Sequence, residues 1–295
     1  MSKFIENKKR IELIDVVVFI FLTLFGITIL FPFYNVIVVS FTTQKEYLLK
    51  PLVLIPSEPT LESYLALIED GRIWIGYRTT LLILALGLPI NMFLTTSMAY
   101  GLSRPNLPGK KVILYLVLFT LLFNGGIIPL YLVMLSLKLI NTIWSVLLAS
   151  GMNTFYFIIM RNYFLSMPNS LIESAKLDGA GEWRILWQII LPLSKPIIAT
   201  IALFYAVDRW NEWFHAMIFI RKNNMVPLQL VLRSIVIESQ ILSHLATGGK
   251  SIERIHFSMG MKMAAVLVTM IPVMCIYPFL QKHFVKGVLI GAIKA

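Results

Sequence analysis

The chain has 295 residues, of which 58% are hydrophobic and only 14% charged, with 26 basic against 15 acidic side chains and a formal charge of +11. A charged share so far below the roughly 25% of soluble domains excludes an ordinary soluble protein and points to a polytopic membrane protein. The basic residues are scattered through short loops and ends and do not gather on one face, which argues against a nucleic-acid partner, and the single cysteine, Cys275, excludes an internal disulfide or a cysteine zinc cluster.

Lys3, Lys8, Lys9 and Arg10 stand ahead of an apolar run over residues 13–40. The run is too long for the core of a signal peptide and has no small-residue cleavage site, so the expectation is an uncleaved first span. Apolar runs recur at residues 74–102, 112–135, 142–162, 191–218 and 257–280. At about 20 residues per crossing, these predict an all-α membrane protein with six transmembrane helices in a single domain, both ends on one side. The segment RPNLPGKK between spans two and three is more basic than SLKLIN between three and four, and both ends are basic, which places the termini in the cytoplasm. Residues 163–190 then form a cytoplasmic loop, and 41–73 and 219–256 form external loops.

The first external segment is punctuated by Pro51, Pro56 and Pro59 and collects Glu46, Glu58, Glu62, Glu69 and Asp70. In the third span, Pro129 removes a backbone hydrogen bond and predicts a kink in the outer half, beside the flexible Asn124-Gly125-Gly126. Two readings of Asn124 stay open: a residue lining a substrate pathway, or an amide that packs helices together.

The longest water-compatible stretch between apolar runs is Ser166 to Pro196. Pro168-Asn169-Ser170 predicts a helix start, with Ser170 and Glu173 at capping-box spacing. A short helix from Leu171 to Leu177 is closed by Asp178-Gly179-Ala180-Gly181, where Gly179 takes the left-handed conformation. A second helix, Glu182 to Ile190, puts Trp183, Leu186, Trp187 and Ile190 on one stripe, and Pro192 and Pro196 break or kink the chain beyond it. Glu173-Ser174-Ala175, Asp178-Gly179-Ala180 and Ile189-Ile190-Leu191-Pro192 resemble the EAA loop of binding-protein-dependent ABC importers, with Ser174 where alanine is usual.

The resemblance extends to maltose-type sugar permeases over nearly the whole chain, through IPSEPTLESY in the first external segment and Trp210-Asn211-Glu212 in the fifth span. Tyr77-Arg78-Thr79-Thr80 departs from that family's usual Arg-Asn phrase. The phrases RNYFLSMP, LPLSKPIIAT and LFYAVDRWNEW are most similar to its branch for complex oligosaccharides. The resemblance implies a bacterial inner-membrane subunit that works with a second, homologous permease, a dimer of ATPase subunits, an external substrate-binding protein and a sugar or oligosaccharide. ATP and Mg²⁺ would be bound by the ATPase and not by this chain, whose other surroundings are lipid. The elbow would be the coupling helix seated in an ATPase cleft. Leu171, Ile172 and Ala175 would fill an apolar floor, Glu173 would meet a basic residue, Gly179 would set the elbow, and Ser174, Asp178 and Ala180 complete the motif. The competing role of Glu173 is its capping box alone.

In the fifth span, Asp208 lies about 25 Å beyond Leu191, near the outer interface. Asp208, Trp210, Asn211 and Glu212 are candidate sugar-facing groups, rings stacking on sugar faces beside polar groups that bond hydroxyls. The other reading is an aromatic belt with Arg209 paired to a carboxylate. Arg221, Lys222, Asn223 and Asn224 resemble the external segment that meets the binding protein, and the tail KHFVKGVLIGAIKA resembles one that reaches the ATPase pair. Gly249-Lys250-Ser251 ends like a P-loop, but His244 replaces its first glycine and no strand precedes it. His215, His244, His256 and His283 show no metal-ligand spacing, and no catalytic set is present, so neither an enzyme nor a metal site is expected. An ion-coupled secondary transporter is the alternative, and it would need ionisable residues nearer the bilayer middle.

Overall fold

The computed structural model describes residues 13–50, 52–105, 107–246 and 259–276. The chain divides into two units, Met1–Glu69 with Ile235–Val268, and Asp70–Ser234 with Thr269–Ala295. In the first unit, α1 (Leu13–Ser40) is apolar on every side and buries only Val38, Val39 and Ser40 within the chain. Such a helix is at home in lipid or against another chain. Its end is fastened by Ser40 Oγ, 2.7 Å from the Tyr64 hydroxyl. The segment after it is no plain loop but holds α2 (Gln44–Leu49) and α3 (Glu62–Glu69). Thr43 caps α2, and the Glu46 carboxylate accepts from the Ser57 amide at 2.9 Å and its hydroxyl at 2.7 Å, which pins the Pro56–Pro59 stretch.

The second unit is built on α4 (Arg72–Ser103), 32 residues without a break despite Pro89. Its buried face runs through Gly76, Thr79, Thr80, Ile83, Gly87, Asn91, Thr95, Thr96, Ala99 and Tyr100. Small and hydroxyl side chains at three-and-four spacing let neighbouring helices approach closely in a membrane. An added Cβ at Gly76 would come within 2.9 Å of the Leu228 backbone, and one at Gly87 within 2.8 Å of Arg209 Nε.

The next spans are bent. α5 (Lys110–Leu122) and α6 (Ile127–Ser136) meet at 119° across Phe123-Asn124-Gly125-Gly126. The expected kink at Pro129 is therefore misplaced: Pro129 is the third residue of α6, where the missing N–H removes no helix bond. Instead Gly126, at φ 85°, turns the chain. α7 (Ile143–Ala149) and α8 (Thr154–Leu165) differ by 55°, with Asn153 Oδ1 capping α8 through the amides of Phe155 and Tyr156. After α9 (Asn169–Leu177) come α10 (Glu182–Ile185), one π turn over Leu186–Ile190, and the three-residue α11 (Leu191–Leu193).

α12 (Lys195–Trp210) then leaves at 87°, the break falling on Ser194. The helix of the expected fifth span is not continuous to residue 218: α12 stops at Trp210 and α13 (Phe214–Phe219) starts afresh. Nor is the segment 219–256 simply a loop: α14 (Leu228–Ala246) occupies much of it. Its charges interrupt any apolar run, while Leu228, Val231 and Ile235 keep helical spacing and are buried.

The last described helix, α15 (Met259–Ile276), falls within the expected sixth span. Among the described residues, three helices are singly long and apolar enough to cross a membrane, and six spans result only if each bent pair counts as one. The basic amino end, the Gly249-Lys250-Ser251 phrase, His256, His283 and the carboxyl tail lie outside the described residues.

Candidate functional site

Two places gather the residues singled out from sequence. The first is the turn after α9. Pro168, extended at ψ 128°, takes the N-cap position, so Ser170 falls inside the first turn and the Ser170–Glu173 capping box does not form. The helix closes through Gly179 at φ 77°, with the Gly179 amide donating to the Lys176 carbonyl at 3.0 Å and the Ala180 amide to the Ala175 carbonyl at 2.9 Å. That pair of bonds is the Schellman arrangement, which only a residue tolerant of positive φ completes without strain.

Ile172 and Ala175 are 6% and 7% exposed and face this chain's own core with Tyr100, Phe164, Ile185 and Ile190. They anchor α9 and are not free to fill a partner's cleft. The apolar surface α9 turns outward is Leu171 with Leu177, which is 89% exposed and absent from the expected set. Glu173, Ser174, Asp178 and Gly179 are exposed beside it, and Ala180 is half-buried. The expected stripe of the second helix is split. The π turn, closed by the Leu191 amide on the Leu186 carbonyl, adds a residue per turn. Ile185, Leu186 and Ile190 go inward while Trp183 and Trp187 stay exposed.

The turn is tied to α4. Lys176 Nζ lies 2.6 Å from one carboxylate oxygen of Glu182, and the Tyr100 hydroxyl donates to the other at 2.5 Å. The Arg104 guanidinium sits 4.7 Å over the Tyr100 ring. The ammonium first and the phenol second hold the Glu182 carboxyl below the usual carboxylate range.

The second place is a cavity of about 340 Å³ lined by Ser150, Asn153, Tyr205, Asp208, Arg209, Glu212 and His215. Arg209 is 2% exposed, and among the described residues it pairs with no carboxylate. Nε donates to Asn91 Oδ1 at 2.9 Å, Nη1 to the Val146 carbonyl at 3.2 Å and Ser150 Oγ at 2.8 Å, and Nη2 to the Leu147 and Ser150 carbonyls at 3.0 and 2.9 Å. Five donors thus find five neutral acceptors, and the positive charge caps the negative end of α7. Asn91 Nδ2 donates in turn to the Ser150 and Gly151 carbonyls. The expected Arg209–carboxylate pair fails because Arg209 points to α4 and α7, whereas Asp208, one residue round the helix, accepts from the Tyr156 hydroxyl at 3.0 Å. Glu212 instead accepts from the His215 amide and ring Nδ1, both at 3.0 Å.

Of the five pathway candidates, the cavity gathers Asp208 and Glu212. Trp210 is 7% exposed and packs against Tyr77, its buried Nε1 finding no acceptor among the described residues. Asn211 is bonded to Gln229 and the Val207 carbonyl. Asn124 sits exposed in the break of the third span, accepting from the Gly126 amide at 2.9 Å, and does not line the cavity. Asn153, Tyr205 and His215 were missed. Asn153 could have been found as an asparagine directly ahead of a helix start. Tyr205 holds the broken fourth span to α4, its hydroxyl 2.6 Å from Thr95 Oγ1 and accepting from the Asn153 amide at 2.9 Å. Arg221, Lys222, Asn223 and Asn224 are all exposed, with the Arg221 amide bonded to Asn141 Oδ1.

The chain matches the family described as binding-protein-dependent transport system inner membrane component over residues 4–290. It is 40% identical to the polygalacturonan/rhamnogalacturonan transport system permease protein YtcP of Bacillus subtilis (strain 168), covering 96% of this chain and 99% of that one. It is 39% identical to protein LplC of the same organism, covering 98% and 97% respectively. Among solved structures it resembles a bacterial ABC transporter involved in the import of the acidic polysaccharide alginate. The TM-score is 0.82 and the identity 30%, with 96% of this chain and 100% of that one covered.

Proposed function

The chain belongs to the family of binding-protein-dependent transport system inner membrane components, and from that premise we propose that it moves oligosaccharides through a pathway to which its polar cavity contributes. It is the non-catalytic, multi-pass permease subunit of an ABC importer, and such a subunit works with an ATPase and a substrate-binding protein. Family membership disfavours the ion-coupled secondary transporter. The remaining steps are the proposal. A second, homologous permease completes the pathway, both termini face the cytoplasm, and ATP with Mg²⁺ is handled by the ATPase pair. The substrate is an oligosaccharide of the kind released from acidic plant or algal polysaccharides, the class in the names of the similar permease and the similar structure.

The observation that carries the reading is the cavity against the broken fourth and fifth spans. Irregular backbone at membrane depth is tolerated where it lines a polar cavity, and there it offers fixed hydrogen-bonding groups to a hydroxylated substrate. Beside the carboxyl-terminal end of α4, α9 presents Leu171, Glu173, Ser174 and Leu177 outward around a turn set by Asp178, Gly179 and Ala180. That surface suits a socket in the ATPase, with Arg221, Lys222, Asn223 and Asn224 at the face that meets the binding protein. Closure of the ATPase pair would move α9 as a rigid body and switch the spans between two states.

The test is ATP hydrolysis by the reconstituted assembly of this chain, a second permease and the ATPase, titrated with binding protein preloaded with galacturonic-acid oligosaccharide. Stimulation by the loaded protein, lost on Gly179→Pro, is expected. Failure of any ATPase to associate would overturn the coupling surface, and stimulation by a chemically unrelated solute alone would overturn the substrate class.

A further inference from the structure

Which element can connect the α9 turn to the polar cavity is decided by the continuity of each span. The fifth span leads from the turn only through a π turn and the 87° break at Ser194. The fourth is interrupted over residues 150–153, at the cavity itself. α8 reaches unbroken from Asn153 at the cavity to Leu165 but stops short of the turn, whereas α4 runs unbroken past both places and is bonded to the turn itself. From Tyr100 back to Asn91 it covers roughly 14 Å. Over that length it holds the turn through Tyr100, the fifth and fourth spans through Thr95 and Tyr205, and Arg209 through Asn91.

The attachment at the turn rests on one bond more than on the other. Lys176 and Glu182 are each about half exposed, and such a pair contributes little by itself. The Tyr100 hydroxyl, on a side chain 5% exposed, gives a short, charge-assisted bond to the same carboxylate. Arg104 over the ring, and Phe164 at 6.4 Å edge-on, fix where that hydroxyl points.

We propose that Tyr100 and Glu182 are positioning residues for energy coupling, latching the turn after α9 to α4 so that a displacement of the turn is delivered along α4 to the cavity wall. The inference rests on the reading of α9 as the surface that meets the ATPase. The latch is a contact of this chain with itself, so it acts through α4 and touches neither nucleotide nor sugar.

Tyr100→Phe keeps the ring, its packing and its contact with Arg104, and deletes only the hydroxyl. In liposomes holding the complete assembly, with binding protein and labelled galacturonic-acid oligosaccharide, uptake and ATP hydrolysis are read side by side. Uptake per ATP is expected to fall about tenfold, the equivalent of one hydrogen bond to a charged group, while hydrolysis continues. Glu182→Gln should fall in the same direction by less. Exchanging the pair, Lys176→Glu with Glu182→Lys, should leave uptake per ATP close to that of the unaltered assembly, because a tyrosine hydroxyl accepts as well as donates. Unchanged uptake per ATP in both Tyr100→Phe and Glu182→Gln would overturn the latch. So would parallel loss of uptake and hydrolysis in those variants and in the exchanged pair, since that marks a merely structural bond. Absence of sugar uptake by the unaltered assembly would instead bring down the transport reading, and the latch with it.

Discussion

α1 and α4 are both long and apolar, 28 and 32 residues, yet they meet opposite fates inside the chain. α1 carries Phe, Leu, Ile and Val around its whole circumference and buries nothing before Val38. α4 is less apolar and is the axis of its unit, because its buried face is rich in glycine, threonine, asparagine and alanine. Lipid is as apolar as leucine, so apolarity gives a helix no preference for protein over bilayer. Close approach and hydrogen bonds do.

The hardest blow to this contrast is Arg209→Met. It orphans carbonyls at the end of α7 and should lower stability by about 3 kcal/mol or more, measured by thermal unfolding in detergent. Arg209→Lys should rescue little, since an ammonium lacks the planar fork that serves five acceptors. A rescue by Lys would mean that charge alone matters there. Next comes Gly87→Ala, whose Cβ would lie 2.8 Å from Arg209 Nε, and which should cost about 2 kcal/mol by overpacking. Tyr205→Phe, which loses Thr95 and the Asn153 amide, should cost about 1 kcal/mol.

Acid titration probes a gentler effect. The Glu182 carboxyl is depressed in the folded chain, so its contribution is fully present above the ordinary value of 4.5 and is lost as pH falls through the lower folded value. Stability should therefore hold from neutrality down to about 4.5 and drop between there and the lower folded value, and Glu182→Gln should flatten the drop. Leu22→Ala on α1 should do least, under about 0.5 kcal/mol in the chain alone. A loss matching Gly87→Ala would erase the distinction between the two helices.

Legibility in the sequence tracks the range of the forces involved. The end of α1 at Ser40 was legible because a span is a local run of apolar residues. Gly179 was legible because a helix end with positive φ selects glycine from its neighbours alone. Pro129 misled because its effect depends on its place in the helix, and the helix start was set by Gly126. Ile172 and Ala175 were assigned to a partner because a short amphipathic helix does not say which apolar face turns inward. Arg209 was least legible of all: a carboxylate beside it in sequence looked like its partner, while its true acceptors are mostly backbone carbonyls about 60 residues away, which carry no sequence signature.

That separation has a consequence for how the protein is made. The gap between α7 and α8 leaves the ribosome 59 residues before Arg209, counted from Ser150. At ordinary synthesis rates this is an interval of about 3 to 12 s. Throughout it, the Val146 and Ser150 carbonyls have only Ser150 Oγ and Asn91 Nδ2 as side-chain donors, and the guanidinium that gathers them with the Leu147 carbonyl is still to come. The end of α7 therefore takes its final form only when the fifth span arrives, so the fourth span is finished by a residue made well after it.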